Sequence, residues 1–309
     1  MEFDGILFFP VTPFDARGRL DEAALERHLR SGLEHRPGGV FAACGTGEIH
    51  ALSTAEHARV VRAAVTAAGG GVPVVAGAAG GLRTAIDQAV AARDLGADAV
   101  LLFPPYLVGA PQRGLVDYVH AVAAEAKTPV IVYQRGTMAL TPECAAEIAG
   151  IPGVIGIKDG LGDLDRMARI VMAVRERRGS DFTFFNGLPT AELTVRAYTG
   201  IGVPLYSSAA FAFVPEVATA FQWAVRAGDP LADTLLEVFY RPLGRLRDRT
   251  PGYAVALVKA GLELRGGAAG GVRPPFTDPT PAELVELGAI IDAGLAAVKE
   301  SAAPGASEC

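Results

Sequence analysis

A chain of 309 residues and 32.0 kDa, 50% hydrophobic and 20% charged, can build a large core and has too few charges to be a disordered polymer. Its 28 basic and 34 acidic residues leave a net charge of −6, which offers no electrostatic footprint for nucleic acid or an anionic membrane. The longest apolar runs, such as Ala97–Pro105, fall well short of the ~20 residues that cross a bilayer.

Met1–Phe9 carries Glu2 and Asp4 where a secretory signal would be basic, so a cytoplasmic protein is expected. Cys44, Cys144 and Cys309 form no CxxC pair and are odd in number, which suits neither a disulfide framework nor a zinc site. Short β-branched runs then alternate with amphipathic stretches. Strands are expected at Gly5–Phe9, Gly39–Ala43, Pro73–Ala76, Ala99–Phe103, Pro129–Tyr133, Val154–Lys158, Phe182–Phe185 and Val203–Tyr206. The helices between and after them are Glu22–Leu33, Ala55–Ala68, Arg83–Leu95, Leu115–Ala126, Pro142–Ala149, Leu164–Arg178, Ala191–Tyr198 and Val214–Ala227. The strands are apolar on both faces, as parallel strands covered by helices must be. Eight consecutive βα units predict a (β/α)8 TIM barrel. The competitor, a doubly wound open sheet, usually has fewer strands, and no GxGxxG follows the first strand here.

Beyond residue 228 only helices are expected, at Pro230–Leu246, Tyr253–Leu264 and Ala282–Lys299, separated by Thr250–Gly252 and the Gly/Pro-rich Gly266–Pro281. The division read from this is a catalytic barrel over 1–228, a C-terminal three-helix extension packed on it over 229–300, and a flexible tail over 301–309.

In such a barrel the chemistry sits at the C-terminal strand ends. The residues there are Thr12, the turn Gly45-Thr46-Gly47-Glu48, Pro104-Pro105-Tyr106, Tyr133-Gln134-Arg135, Lys158-Asp159-Gly160, Asn186-Gly187 and Ser207-Ser208. This ring holds no histidine cluster and no paired carboxylates at metal spacing, so no metal is expected. The chain has four lysines, Lys127, Lys158, Lys259 and Lys299, and otherwise uses arginine. A lysine at a strand end can do what guanidinium cannot: a desolvated amine gives up its proton and condenses with a ketone. The alternative is a side chain that snorkels to solvent past the rim. Tyr133, one strand earlier at the same height, is either a proton carrier whose phenol ionises more easily beside a cation or a half-buried rim residue. The Gly-Thr-Gly turn can aim N–H groups and the Thr46 hydroxyl at a carboxylate, though such turns also occur for steric reasons. Glu48 reads as a brace for the turn and Cys44 as a buried filler. His28, His57, His120 and His35 read as solvated, His50 stays open as a site residue, and Trp223 with the phenylalanines of the eighth helix reads as core.

Gly45-Thr46-Gly47-Glu48, the strand Val130–Arg135 with its Tyr133, and Gly156-Ile157-Lys158-Asp159-Gly160 together resemble the dihydrodipicolinate synthase / N-acetylneuraminate lyase family of Schiff-base aldolases and dehydratases, in order and spacing from about Gly5 to Ile291. Within it, Pro104–Leu107, Lys158–Asp163, Gly187–Glu192, Tyr206–Ala209, Arg249–Val255 and Val272–Pro275 are similar to the branch that dehydrates and decarboxylates 5-dehydro-4-deoxyglucarate. The synthase branch carries a second tyrosine where this chain has Leu107. The resemblance implies a small 2-oxo sugar diacid as substrate, no cofactor, and a homo-oligomer, tetramer or dimer. It also implies an imine on Lys158 with Tyr133 and Thr46 as proton relay, the keto-acid carboxylate on Gly45, Thr46 and Gly47, and Asn186, Ser207, Ser208 and Arg135 around the rest of the substrate. The rival readings are another member of the family, such as a 2-keto-3-deoxy sugar-acid aldolase or the synthase itself, and a catalytically silent keto-acid-binding barrel. Four positions depart from the usual pattern of the branch and are expected to border the pocket: Gln134, Cys44, Ile49 and His50.

Overall fold

The computed structural model describes Met1 and residues 3–302. Eight parallel strands close into a barrel in chain order: β1 (Leu7–Phe8), β2 (Gly39–Ala42), β3 (Val74–Gly80), β4 (Ala99–Pro105), β5 (Val130–Gln134), β6 (Val154–Asp159), β7 (Thr183–Asn186) and β8 (Leu205–Ser208), with β8 pairing back onto β1. Each strand is followed by a covering helix. These are α1 (Glu22–Glu34), α2 (Thr54–Ala68), α3 (Leu82–Asp94), α4 (Gln112–Ala126), α5 (Pro142–Ala149), α6 (Leu164–Arg178), α7 (Val195–Gly200) and α8 (Pro215–Ala227). The (β/α)8 expectation holds, and the open sheet is excluded by the β8–β1 pairing.

Strand alternation makes two cores. Outward-facing Val40, Val74, Val100, Val130, Val132 and Ile157 meet the helices in the larger cluster. Inward-facing Leu7, Phe9, Phe41, Val75, Leu101, Phe103, Ile131, Tyr133 and Phe185 fill the barrel itself. This is why the strands read as apolar on both faces. Helix starts are fixed by side chains that accept free N–H groups of the first turn: Asp21 for α1, Thr141 for α5, Asp163 for α6, and a reciprocal Ser53–Glu56 box for α2.

Five expectations change in detail. Ala191–Tyr198 is a short 3-10 turn (Ala191–Thr194) leading into α7. Pro230–Leu246 is not one regular helix but α9 (Leu231–Leu235), a π-helical turn (Leu236–Tyr240) and α10 (Arg241–Arg247). Pro242 has no N–H to give to the preceding turn and its ring crowds that turn's carbonyl, so the ladder widens just before it. His28 and His57 are buried, not solvated: Nε2 of His28 accepts from the Val11 N–H at 3.3 Å, and Nε2 of His57 pairs with the Gly77 carbonyl at 2.7 Å. Burial holds the His28 imidazole down at about 4. Trp223 is exposed at 56%, whereas Phe221 on the same helix is fully buried. The last two helices are α11 (Tyr253–Leu264) and α12 (Pro281–Ala302), so Ser301 and Ala302 continue a helix where a tail was expected. Residues 303–309, with Cys309, lie outside the described residues. No helix among those described is long and apolar enough to cross a membrane.

Candidate active site

A cavity of about 860 Å³ opens at the C-terminal ends of the strands and contains the side chain of Lys158 in its lining. The register of β5 and β6 pairs Tyr133 with Lys158 and Gln134 with Asp159. Alternation then sends the first pair into the barrel and the second toward the helices. Lys158 is only 5% exposed. Its Nζ stands 4.2 Å from the centroid of the Phe9 ring and 4.6 Å from that of Tyr133. Burial in this aromatic floor, with the Arg135 charge adding to it, depresses the amine to about 7. The snorkelling alternative is thereby removed: the nitrogen lies inside, over the aromatic rings.

Tyr133 is buried too, and its hydroxyl donates to the Gly187 carbonyl at 2.8 Å. Burial raises its pKa, with Arg135 opposing. The expectation of an easily ionised phenol is therefore corrected. Burial outweighs the Arg135 charge, so the phenol rests protonated and is an acid first.

Two glycines permit this closeness. A Cβ on Gly187 would lie 2.4 Å from Cε of Lys158, and one on Gly160 would lie 2.8 Å from Cε2 of Tyr133. Gly187→Ala is expected to push the lysine stem aside by about an ångström and lower turnover roughly 100-fold, with some loss of melting temperature because the new Cβ also meets the Asp159 carbonyl at 2.9 Å. An initial-rate assay beside a thermal melt checks this, and wild-type turnover in the variant would show that the lysine stem has room to spare.

On the opposite side, the turn after β2 presents Gly45 and Thr46 to the cavity. None of the hydrogen bonds among the described residues uses the N–H of Thr46 or Gly47, while Glu48 and Ile49 donate back to Gly45 and Cys44. Free N–H groups in such a turn form a receptor for an anion. Nη1 of Arg135 is 3.8 Å from where a Cβ on Gly45 would be, which sets a cation beside the same turn. Arg135 and Ser207 line the cavity as expected.

Asn186, Ser208 and Gly47 do not. The Asn186 amide donates to the Ala191 carbonyl at 3.2 Å and Thr194 Oγ1 at 2.9 Å, and its oxygen accepts from the Leu188 N–H at 3.2 Å, so it ties the loop after β7 from behind. Ser208 donates to Glu192 Oε1 at 2.6 Å. The Gly47 carbonyl accepts from Thr12 at 2.7 Å. Of the four departures from the usual pattern, Ile49 and His50 line the cavity. Cys44 packs with the inner core beneath it, its thiol pushed up to about 12 by burial, as befits a filler. Gln134 faces away and donates to Asp159 Oδ1 at 2.8 Å, so it adjusts the scaffold, not the pocket.

Several lining residues were given no site role in the sequence. Phe9 and Phe103 make the floor, and Arg247, Thr250, Tyr253, Val255 and Phe276 from the C-terminal helices and the loops joining them make one wall. The signal for Phe9 was available, since it ends the first strand. For the wall, Arg249–Val255 was marked by its likeness to the branch, but nothing local says which barrel end that segment covers. Among the described residues no group of three or more His, Cys, Asp or Glu could hold a metal.

The sequence matches the Dihydrodipicolinate synthetase family over residues 2–294. The chain belongs to that family. Relatives in the dihydrodipicolinate synthetase family include a probable 5-dehydro-4-deoxyglucarate dehydratase of Streptomyces griseus, 53% identical over 97% of this chain and 95% of the relative. A protein of the same description from Variovorax paradoxus is 44% identical over 94% and 95%. Among solved structures, the dihydrodipicolinate synthase of Acinetobacter baumannii complexed with pyruvate is 28% identical with a TM-score of 0.81 over 95% of this chain and 99% of that one. The synthase of Oceanobacillus iheyensis shares the fold at a TM-score of 0.86, over 95% and 97%, with 24% identity. Against the second tyrosine expected of the synthase branch, this member of the dihydrodipicolinate synthetase family has Leu107, 80% exposed and in a left-handed conformation (φ 63°) on the rim.

Proposed function

We propose that this protein is a Schiff-base lyase that converts 5-dehydro-4-deoxy-D-glucarate to 2,5-dioxopentanoate, carbon dioxide and water. The observation that carries the reading is the Lys158 amine, buried and depressed to about 7, in one cavity with Tyr133 and the Gly45–Thr46 turn. The dehydratase description of relatives about half identical over nearly the whole chain supports the choice of substrate.

The keto-acid carboxylate docks on the N–H groups of the turn beside Arg135. Neutral Lys158 adds to the adjacent ketone to give a carbinolamine. The protonated phenol of Tyr133 gives its proton to the departing hydroxyl, water leaves, and an iminium ion forms; the Thr46 hydroxyl passes protons between phenol and substrate. The iminium acidifies the neighbouring CH2. Loss of one of its protons and of the β-hydroxyl, as water, leaves a conjugated unsaturated iminium. That extended sink accepts the electron pair of the bond to the remote carboxylate, which departs as CO2. Protonation of the resulting dienamine, tautomerisation of its enol to the aldehyde, and hydrolysis release product and free Lys158. Ser207 lies where it can hold a substrate hydroxyl. Asn186 and Ser208 keep indirect parts, shaping the loops after β7 and β8. Assembly of several copies of the chain belongs to the same proposal.

Incubation with the 2-oxo diacid should release one CO2 per substrate consumed, with a product bearing one aldehyde and one ketone trapped by a carbonyl reagent. Release of pyruvate in place of CO2 would assign an aldolase instead. Binding without turnover, seen as ligand-dependent melting alone, would assign a silent barrel.

A further inference from the structure

The turn that receives the carboxylate is held in a costly shape. Ala43 (φ 49°) and Glu48 (φ 56°), neither of them glycine, both sit in the left-handed region and bracket it. Such conformations persist only where the surroundings over-determine them, and they gather at binding sites. The Glu48 side chain is fully buried, yet it points away from the cavity into the C-terminal helices. Its Oε1 accepts from Nζ of Lys259 on α11 at 2.8 Å, and its Oε2 accepts from the backbone N–H of Arg273 at 2.9 Å. Lys259 is 1% exposed, donates also to the Gly271 carbonyl at 2.8 Å, and lies 4.1 Å from the centroid of the Phe14 ring. The Arg273 guanidinium spans the same region, donating to the Ala51 carbonyl at 2.7 Å and to Glu56. The first turn of α11, Tyr253–Val255, meanwhile lines the cavity. One helix thus forms a wall of the site and, at Lys259, grips the residue that ends the carboxylate turn.

We infer that Glu48 and Lys259 are positioning residues: their buried ion pair fixes the Gly45–Thr46 turn from the C-terminal helices, so that affinity for the keto-acid carboxylate depends on groups that never touch it. A buried ion pair is weak evidence for stability in itself, since a well-packed uncharged pair often serves as well. Here it joins a strained turn to α11, while the Arg273 stretch that follows α11 braces the same carboxylate. The inference rests on the Schiff-base reading given above.

The test uses pyruvate, a 2-oxo acid with only the carboxylate that the turn would hold, trapped on the full-length protein by borohydride and followed by intact mass. The variants are Lys259→Met, Glu48→Gln and the double Glu48→Gln/Lys259→Met, which removes both charges while keeping volume. Each variant that melts as a folded protein should need at least tenfold more pyruvate for half-maximal trapping. Its rate at saturating pyruvate should fall less than threefold, because the amine and phenol are untouched. Glu48→Gln, which keeps the shape and one of the two hydrogen bonds, should show the smallest shift. A folded variant that half-saturates within twofold of wild type overturns the inference, as does one that loses trapping rate at unchanged half-saturation. Failure of the wild-type protein itself to be trapped on Lys158 would instead retire the Schiff-base reading.

Discussion

Lys158→Ala is expected to lower turnover by on the order of 10⁴-fold or more, since it removes the covalent route that the other groups only assist. Lys158→Arg should fare no better, because a guanidinium stays protonated, and it doubles as a control for the loss of a long buried side chain. The magnitude follows from the resting state of the amine. A lysine at its ordinary value of 10.5 holds about three free amines in 10⁴ molecules at pH 7, whereas one at about 7 holds about half. Burial therefore raises the supply of nucleophile about a thousandfold before any orientation is counted. The sign for pH follows directly. The neutral form attacks, so the rate of imine trapping should be level above about pH 7 and fall about tenfold per unit below it. A trapping rate that keeps climbing to pH 10 would mean an amine with ordinary basicity. A Lys158→Ala variant with near-normal turnover would end the mechanism altogether.

Tyr133→Phe is expected to cost 10²–10⁴-fold in turnover, the usual range for a lost general acid, with a much smaller change in substrate affinity. The phenol is a donor at rest, held by the Gly187 carbonyl. Removing its oxygen leaves that carbonyl unpaired but the ring packing over Phe103 intact. Stopped reactions should then show carbinolamine formation outpacing dehydration, read as slower borohydride trapping at saturating substrate. Equal trapping rates in the two proteins would remove Tyr133 from the proton relay.

The barrel was legible because its strands are apolar on both faces and its helices are not, and because eight repeats of that contrast leave few topologies. Lys158 stood out by chemistry: one of four lysines in an arginine-rich chain, placed where a strand ends. The side chains around it were harder. Asn186 and Ser208 occupy strand ends just as Tyr133 does, yet their polar atoms are spent on the loops behind the cavity. Which face a residue takes at the last step of a strand depends on register, and a one-residue difference reverses it. His28 and His57 show the same limit on helices. An imidazole on a mixed face reads as solvated until the partner that satisfies it, here the Val11 N–H and the Gly77 carbonyl, is placed beside it. Glu48 and Lys259 stand 211 positions apart, and only the closed fold makes them neighbours.

The two aromatic rings facing Nζ of Lys158 bear on the reaction coordinate in a further way. At rest they face an amine that is only about half protonated near pH 7. Once the ketone condenses, the same nitrogen carries a lasting positive charge, and the electron-rich faces of Phe9 and Tyr133 attract it. The floor of the barrel thus discriminates in favour of the covalent intermediates over the free enzyme, which is the kind of differential stabilisation that speeds a reaction rather than merely tightening a complex.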